Sequence, residues 1–327
     1  MKLLKLPSLI QHEIYKNMTP LEMLILSMAS NRILDSMKQF KWDLNTVTMR
    51  FGENYVQIQC PMKNNNDRDY EDNIVFATKS FPDVRCETPD DSWYCFNHVF
   101  KRPMEIHNLA FKLFSRSVGL KAHVCVHGIH NYSLIPNVRV ASIYDHSTPI
   151  HFIDEFTNSN PELEALELFI RDKEGSPSSE MFSVKSLRIN FSDVPFTEYM
   201  RHFKGRDAML WSSLIGNRST LVIEFLEKWM KGEYSDNLEL LYIECLNDEA
   251  FRDEVIHHFQ NKLKDWNGTE MPRFYRFGTE LMSNFRIEKK YYDFEDGFCI
   301  EREIDGQVAL LKLDSWIMSF WILKSDN

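Results

Sequence analysis

The stretch LEALEL, residues 163 to 168, fits the apolar template L-x-x-L-x-L, which returns as VKSLRI at 184 to 189 and LELLYI at 238 to 243. Ala208-x-Leu210 supplies a degenerate fourth member, giving spacings of 21, 21 and 33 residues. Apolar residues two apart share one face of a strand. Recurrence at such a period marks units that each supply one strand and return through a helix or loop. FTEYMRHF (196 to 203) and TLVIEFLEKWMKG (220 to 232) have the pattern of return helices, the second closing on Gly232 as a C-cap. Two readings fit: a leucine-rich-repeat-like solenoid, or ordinary strands of an α/β domain. In either, Glu167, Phe169, Arg188, Asn190, Tyr242 and Glu244 alternate onto the face opposite the leucines.

On the C-terminal side, FRIEKKYYDF (285 to 294), FCIEREI (298 to 304) and VALLKL (308 to 313) are alternating runs separated by Asp296-Gly297 and Asp305-Gly306. Such runs with D-G turns predict a three-stranded antiparallel meander. On the N-terminal side, TVTMRF (46 to 51) and YVQIQC (55 to 60) have strand texture, and the polar stretch KNNNDRDYED (63 to 72) predicts an exposed loop.

The first 42 residues differ in texture. Ser8-Leu9-Ile10-Gln11 and Thr19-Pro20-Leu21-Glu22 both have the form of capping boxes, and Pro20 stands at the first helical position. They predict helices carrying Ile10, Ile14 and Met18, then Leu21, Leu24, Ile25 and Met28, with a third from Asn31 to Lys38. Between Leu21 and Ser30 only Glu22, Ser27 and Ser30 are polar, so that helix must be covered on most of its circumference. Three short helices cannot enclose so much apolar surface, so either the following domain or another protein covers it.

Composition narrows the function classes. The formal charge of -10 argues against a nucleic-acid or anionic-membrane surface, which needs dense Lys and Arg. The six cysteines include no C-x-x-C pair, the pattern of reduced thiols in a cytoplasmic or nuclear protein. The longest near-apolar run, WIMSFWIL at 316 to 323, falls short of the roughly 18 residues of a membrane-spanning helix. Chemistry-bearing motifs are sparse. His12-Glu13 opens like a zinc-protease helix, but Lys16 stands where the second histidine belongs. Asp67-x-Asp69-x-Glu71 opens like a calcium loop, but Asp72 replaces its glycine. His123-x-Cys125-x-His127 puts soft ligands on one strand face, with His130 nearby, yet lacks paired-ligand knuckles. No phosphate-cradling glycine loop or nucleophile elbow occurs. The expectation is a binding protein, not an enzyme, with no cofactor and no metal.

Leu6-Pro7, Ile14, Met18, Pro20, Leu24, Leu26, Ser27, Ser30, Arg32 and Trp42 follow one another in the order and spacing of an F-box, so residues 1–42 resemble that family. LEKWMKGEYSDNLELLYI (226 to 243) and FCIEREIDGQVALLKL (298 to 313) make residues 43–327 similar to the type-2 F-box-associated domain of nematode F-box proteins, although Leu310 replaces the threonine of that pattern. The resemblance implies an α+β or α/β chain: a three-helix F-box, then a larger domain with repeat-like strands and the antiparallel meander. It implies a substrate receptor of a ubiquitin ligase, in which the F-box binds a Skp-type adaptor and through it a cullin and a RING subunit. The C-terminal domain then holds a target protein of unknown identity. Leu6, Pro7, Ile10, Ile14, Met18, Pro20, Leu24, Leu26, Ser27 and Ser30 become the adaptor-binding candidates. The outward strand residues Glu167, Phe169, Arg188, Asn190, Tyr242 and Glu244 become the target-binding candidates. The alternative is a repeat-like protein-binding scaffold with no ligase link.

Overall fold

The computed structural model describes residues 3–38, 46–52, 55–63, 69–77, 93–97, 109–110, 112–113, 121–126, 138–144, 149–169, 179–192, 196–212, 218–234, 236–245, 249–266, 297–314 and 317–323. These form a mixed α/β chain that divides into two compact units, Met1–Ser142 and Ile143–Asn327.

In the first unit a 3-10 turn, Leu3–Lys5, leads into α1 (Ser8–Lys16), α2 (Pro20–Met28) and α3 (Asn31–Met37). The second capping box forms: Thr19 N–H donates to Glu22 Oε2 at 2.8 Å and Glu22 N–H donates to Thr19 Oγ1 at 3.2 Å. The first does not. Pro7 is the N-cap of α1 and Ser8 is already helical, so no side chain caps that end; Gln11 Nε2 instead donates to Leu6 O at 2.7 Å. Ser30 caps α3, accepting from Ile33 N–H. Tyr15, buried on α1, ties α1 to α3 through its hydroxyl, 2.7 Å from Ser36 Oγ; because Ser36 donates to Ile33 O, Tyr15 is the donor.

The strands of this unit are β1 (Thr46–Gly52), β2 (Tyr55–Lys63), β3 (Asp69–Ala77), β4 (Trp93–Asn97) and β5 (Lys121–Val126), paired in the order β5-β1-β2-β3-β4. Asp69 to Asp72, expected in a loop, belong to β3, because β2 extends to Lys63 and zips against them from Lys63↔Asp69 onward. α2 contacts β3, so the helices and these strands share one unit. The sequence places a boundary at 42/43; the compact units divide at 142/143, because the over-apolar helix finds part of its cover on the strands that follow. β6 (Val140–Ile143) carries that division.

The second unit runs α4 (Ile150–Ser159), β7 (Ala165–Phe169), a 3-10 turn (Glu180–Ser183), β8 (Ser186–Ser192), α5 (Phe196–His202), β9 (Asp207–Ser212), α6 (Arg218–Met230), β10 (Leu240–Cys245), α7 (Glu249–His258), β11 (Lys264–Asp265), β12 (Phe298–Glu301), β13 (Val308–Leu313) and β14 (Ile317–Ile322). β7, β8, β9 and β10 are parallel, and the four template members stand in register: Leu166, Leu187, Ala208 and Leu241 form one row, and Leu168, Ile189, Leu210 and Ile243 the next. All eight are buried. α6 supplies the matching stripe, Val222, Phe225, Leu226, Trp229 and Met230, all buried. Phe225 and Trp229 lie edge-on to Phe320, centroids 5.3 and 4.9 Å away, and Phe320 continues the Leu241 row. Burying such a side chain contributes about 1.5–3 kcal/mol, so this face is the core of the unit.

β14 adds antiparallel to β10, then β13, β12 and β11 follow antiparallel. Of the expected meander, the runs 298 to 304 and 308 to 313 pair antiparallel as β12 and β13, and the first run, 285 to 294, lies outside the described residues. The WIMSFWIL run supplies β14, buried from Met318 to Ile322 with Ser319 among its apolar neighbours. The β12–β13 hairpin docks on the end of α6: Glu303 N–H donates to Met230 O at 2.9 Å. Buried Arg302 donates Nε to Asp305 Oδ1 and Nη1 to Asp236 Oδ1, both at 2.9 Å, and sits 5.9 Å from the Trp229 ring centroid.

Candidate functional site

Two surfaces merit attention. The first is the start of the chain. Pro7 is exposed, and Leu4, Leu9 and Ile10 are 39%, 73% and 46% exposed. Among the described residues only one further large hydrophobic, Ile304, is that exposed, so the open apolar side chains concentrate on the 3-10 turn and the first turn of α1. The adaptor-binding candidates separate on this criterion. Pro7, Ile10 and Ser30 are exposed, and Leu6, Ile14, Met18 and Leu26 are half-buried. Pro20, Leu24 and Ser27 are buried: Leu24 packs internally and Ser27 Oγ donates to Leu24 O at 2.6 Å. Leu4 and Leu9 were missed. Leu9 adjoins the Ile10–Ile14–Met18 stripe without belonging to it, which in a helix places it off the packed face.

The second surface is the polar face of β7–β10. Register sets Glu167, Arg188, Met209 and Tyr242 in one row across four strands, and Phe169, Asn190, Trp211 and Glu244 in the next. All six target-binding candidates thus share one face, and Met209 and Trp211 join them. Trp211 has the alternation of the degenerate third repeat as its signal. The face is not the open one expected. Glu167, Asn190 and Tyr242 are buried, while Phe169, Arg188, Trp211 and Glu244 are half-buried.

Within this face charge is nearly balanced. Glu167 Oε1 pairs with Arg188 Nη1 at 3.2 Å and accepts from Asn190 Nδ2 at 3.3 Å, and its Oε2 accepts from the Tyr144 hydroxyl at 3.1 Å. Tyr144 stacks on Phe169, centroids 4.3 Å apart. Glu244 is the unbalanced member: burial pushes its carboxyl up, and the Arg188 guanidinium draws it part of the way back. Asn190 spends its amide on Glu167, and its Oδ1 is buried without a hydrogen-bond partner.

Among the described residues no cluster of three His, Cys, Asp or Glu side chains has metal-holding geometry. His123 and Cys125 fall on β5, whereas His127 and His130 lie outside the described residues. A cleft of about 410 Å³ opens beside Cys299, Lys264 and Lys262, but both lysines are engaged, Lys262 with Glu303 at 2.9 Å and Lys264 with Glu301 at 3.7 Å. No described helix is long and apolar enough to cross a membrane.

The chain is a mixed α/β protein with an exposed apolar N-terminal segment and a sheet face that carries aromatic side chains, a paired Glu167 and Arg188, and Glu244. No family model, curated protein or solved structure matches it.

Proposed function

We propose that this chain is the substrate-recognition subunit of a Skp–cullin–F-box ubiquitin ligase, its N-terminal helices docking a Skp-type adaptor and its second unit holding a target protein. The observation that carries the reading is the exposure of Leu4, Pro7, Leu9 and Ile10 on a module whose sequence resembles an F-box. Burying three or four such side chains against another protein contributes about 1.5–3 kcal/mol each, a usable driving force against association costs. The repeat-like strands of the second unit supply the target-facing sheet, and the function asked of that sheet is proximity, which needs no catalytic residue. The test is capture of a purified Skp-type adaptor by the full chain. Leu9→Asp with Ile10→Asp, both at exposed positions, is expected to abolish capture and leave the melting curve within a few degrees of the parent; undiminished capture by a folded double variant sinks the reading.

A second reading has its own support. α2 contacts β3, and Met23 and Leu24 are fully buried, as expected of helices that serve to cap the following strands in a scaffold with no ligase link. It requires failure of adaptor capture by the parent chain together with loss of stability when Leu24 is truncated. Capture by the parent chain overturns it.

A further inference from the structure

The row Phe169, Asn190, Trp211 and Glu244 presents acceptors without matching donors. Adjacent strands lie about 4.8 Å apart, so Asn190 and Glu244 stand about 9.6 Å apart at the backbone, with Trp211 on the strand between them. Asn190 is 0% exposed, its Oδ1 has no partner, and a buried acceptor left so costs free energy until a donor reaches it. Among the described residues Glu244 accepts no hydrogen bond, and Arg188, whose charge reaches it, is already paired with Glu167 at 3.2 Å. Trp211 is half-buried, and the Tyr144–Phe169 stack closes the row at its other end. The ligand that answers two acceptors flanking an indole is a planar cation with donors on more than one edge.

We propose that this row is the seat of one arginine side chain of the target protein, its guanidinium lying against Trp211 and donating to Asn190 Oδ1 on one side and to Glu244 on the other. Arginine suits the span better than lysine. A guanidinium presents five donors in a rigid plane and stacks on aromatic faces, whereas an ammonium is a compact point charge that serves one acceptor at a time. The raised carboxyl of Glu244 agrees, because a desolvated carboxylate gains most from a charge-assisted hydrogen bond. The inference rests on the reading that this sheet face holds the target, and it names the chemistry the face selects.

The experiment uses the full chain and three blocked pentapeptides, Ac-Gly-Ser-X-Ser-Gly-NH₂, in which X is arginine, lysine or citrulline. Binding is followed by the Trp211 indole N–H resonance, assigned with Trp211→Phe. The arginine peptide is expected to shift that signal saturably, and the lysine and citrulline peptides to bind about tenfold more weakly or less. Glu244→Gln, which keeps the shape, is expected to weaken the arginine peptide by a similar factor. Equal binding of arginine and citrulline, equal binding of arginine and lysine, no shift with any peptide, or an unaltered titration in Glu244→Gln each overturns the proposal. The peptide series on the parent chain decides even if the variant does not fold. Adaptor capture on the same samples depends on Leu9 and Ile10, so its failure tells against the ligase reading and leaves arginine selection to be judged by the peptides alone.

Discussion

Gly232 closes α6 with φ +73°. Its N–H donates to Trp229 O at 2.9 Å and the next N–H, of Glu233, to Lys228 O at 3.0 Å, the paired bonds of a left-handed helix cap. A Cβ there meets Ile304 Cδ1 at 2.3 Å, but that is the free end of an exposed side chain, so the cost of Gly232→Ala is conformational, about 1 kcal/mol. Gly205 is the opposite case. A Cβ at Gly205 falls 2.1 Å from Val184 O and 2.5 Å from the Phe203 ring, atoms that cannot swing aside, so Gly205→Ala is expected to cost about 1–3 kcal/mol and to exceed Gly232→Ala in a denaturant melt. Sequence made the first glycine legible because it follows an amphipathic helix; the second depends on a carbonyl 21 residues earlier that no local pattern announces. Glu244 gives a prediction of opposite sign. Its folded pKa is raised above its unfolded value, so protonation favours the folded chain and stability is lost as pH rises through the folded pKa. Glu244→Gln should therefore raise Tm at pH 7 and leave Tm near pH 4 almost unaltered, a gain in stability at a position retained for binding. An unchanged Tm at both pH values would show the carboxylate to be satisfied in the free chain.

The two capping boxes illustrate how far an element is written in its own residues. Both match the pattern S/T-x-x-E/Q, yet only Thr19–Glu22 closes, because Pro7 takes the cap position of α1 and carries Ser8 inside the helix. Thr19→Ala is accordingly expected to cost about 1 kcal/mol, while Ser8→Ala stays within about 0.5 kcal/mol, both read from thermal melts of the full chain. The parallel strands were legible because apolar residues recur at the right period; β14 was not, since a short near-apolar run fits a buried helix as well as a strand, nor was the β3 extension, since Asp69 to Asp72 are polar and are held by pairing to β2, not by propensity. The β12–β13 hairpin shows the same division. Asp305-Gly306 announces the turn, and Gly306 indeed has φ +72°, but the partner that anchors it, Asp236 on Arg302, lies 66 residues away. The Arg302 guanidinium, with help from Gln307 N–H, holds the Asp305 carboxyl down to about 2. A depressed pKa contributes stability that is present above the unfolded value, about 4, and lost as pH falls through the folded one. Asp305→Asn should therefore flatten the acid limb of stability between about pH 4 and pH 2, measured by denaturant midpoints across that window.

Across the whole chain, the two candidate surfaces are made of opposite materials. The N-terminal one is apolar, Leu4, Pro7, Leu9 and Ile10; the sheet face is aromatic and polar with one unbalanced carboxylate, Glu244, on a chain of net charge -10. The sequence located Pro7, Ile10 and the sheet-face residues, but not Leu4 or Leu9 and not the exposure of either set. Which side of α2 is covered, and which acceptor on the sheet face lacks a donor, depend on contacts between residues far apart in the chain. The difference in material makes salt a discriminating variable. Association through apolar area owes little to Coulomb attraction, and excluded salts such as sulfate strengthen it. A charge-assisted contact at a half-buried position is screened, with a Debye length of about 10 Å at 0.1 M falling to about 3 Å at 1 M. Raising sodium sulfate from 50 to 500 mM is therefore expected to leave adaptor capture undiminished or tighter while the arginine peptide weakens at least severalfold, an order-of-magnitude expectation of roughly threefold to tenfold. Both are read on one preparation, so a change in folding would move them together. If adaptor capture falls with salt as steeply as peptide binding, the N-terminal contact is electrostatic, and Leu9 and Ile10 are not its centre.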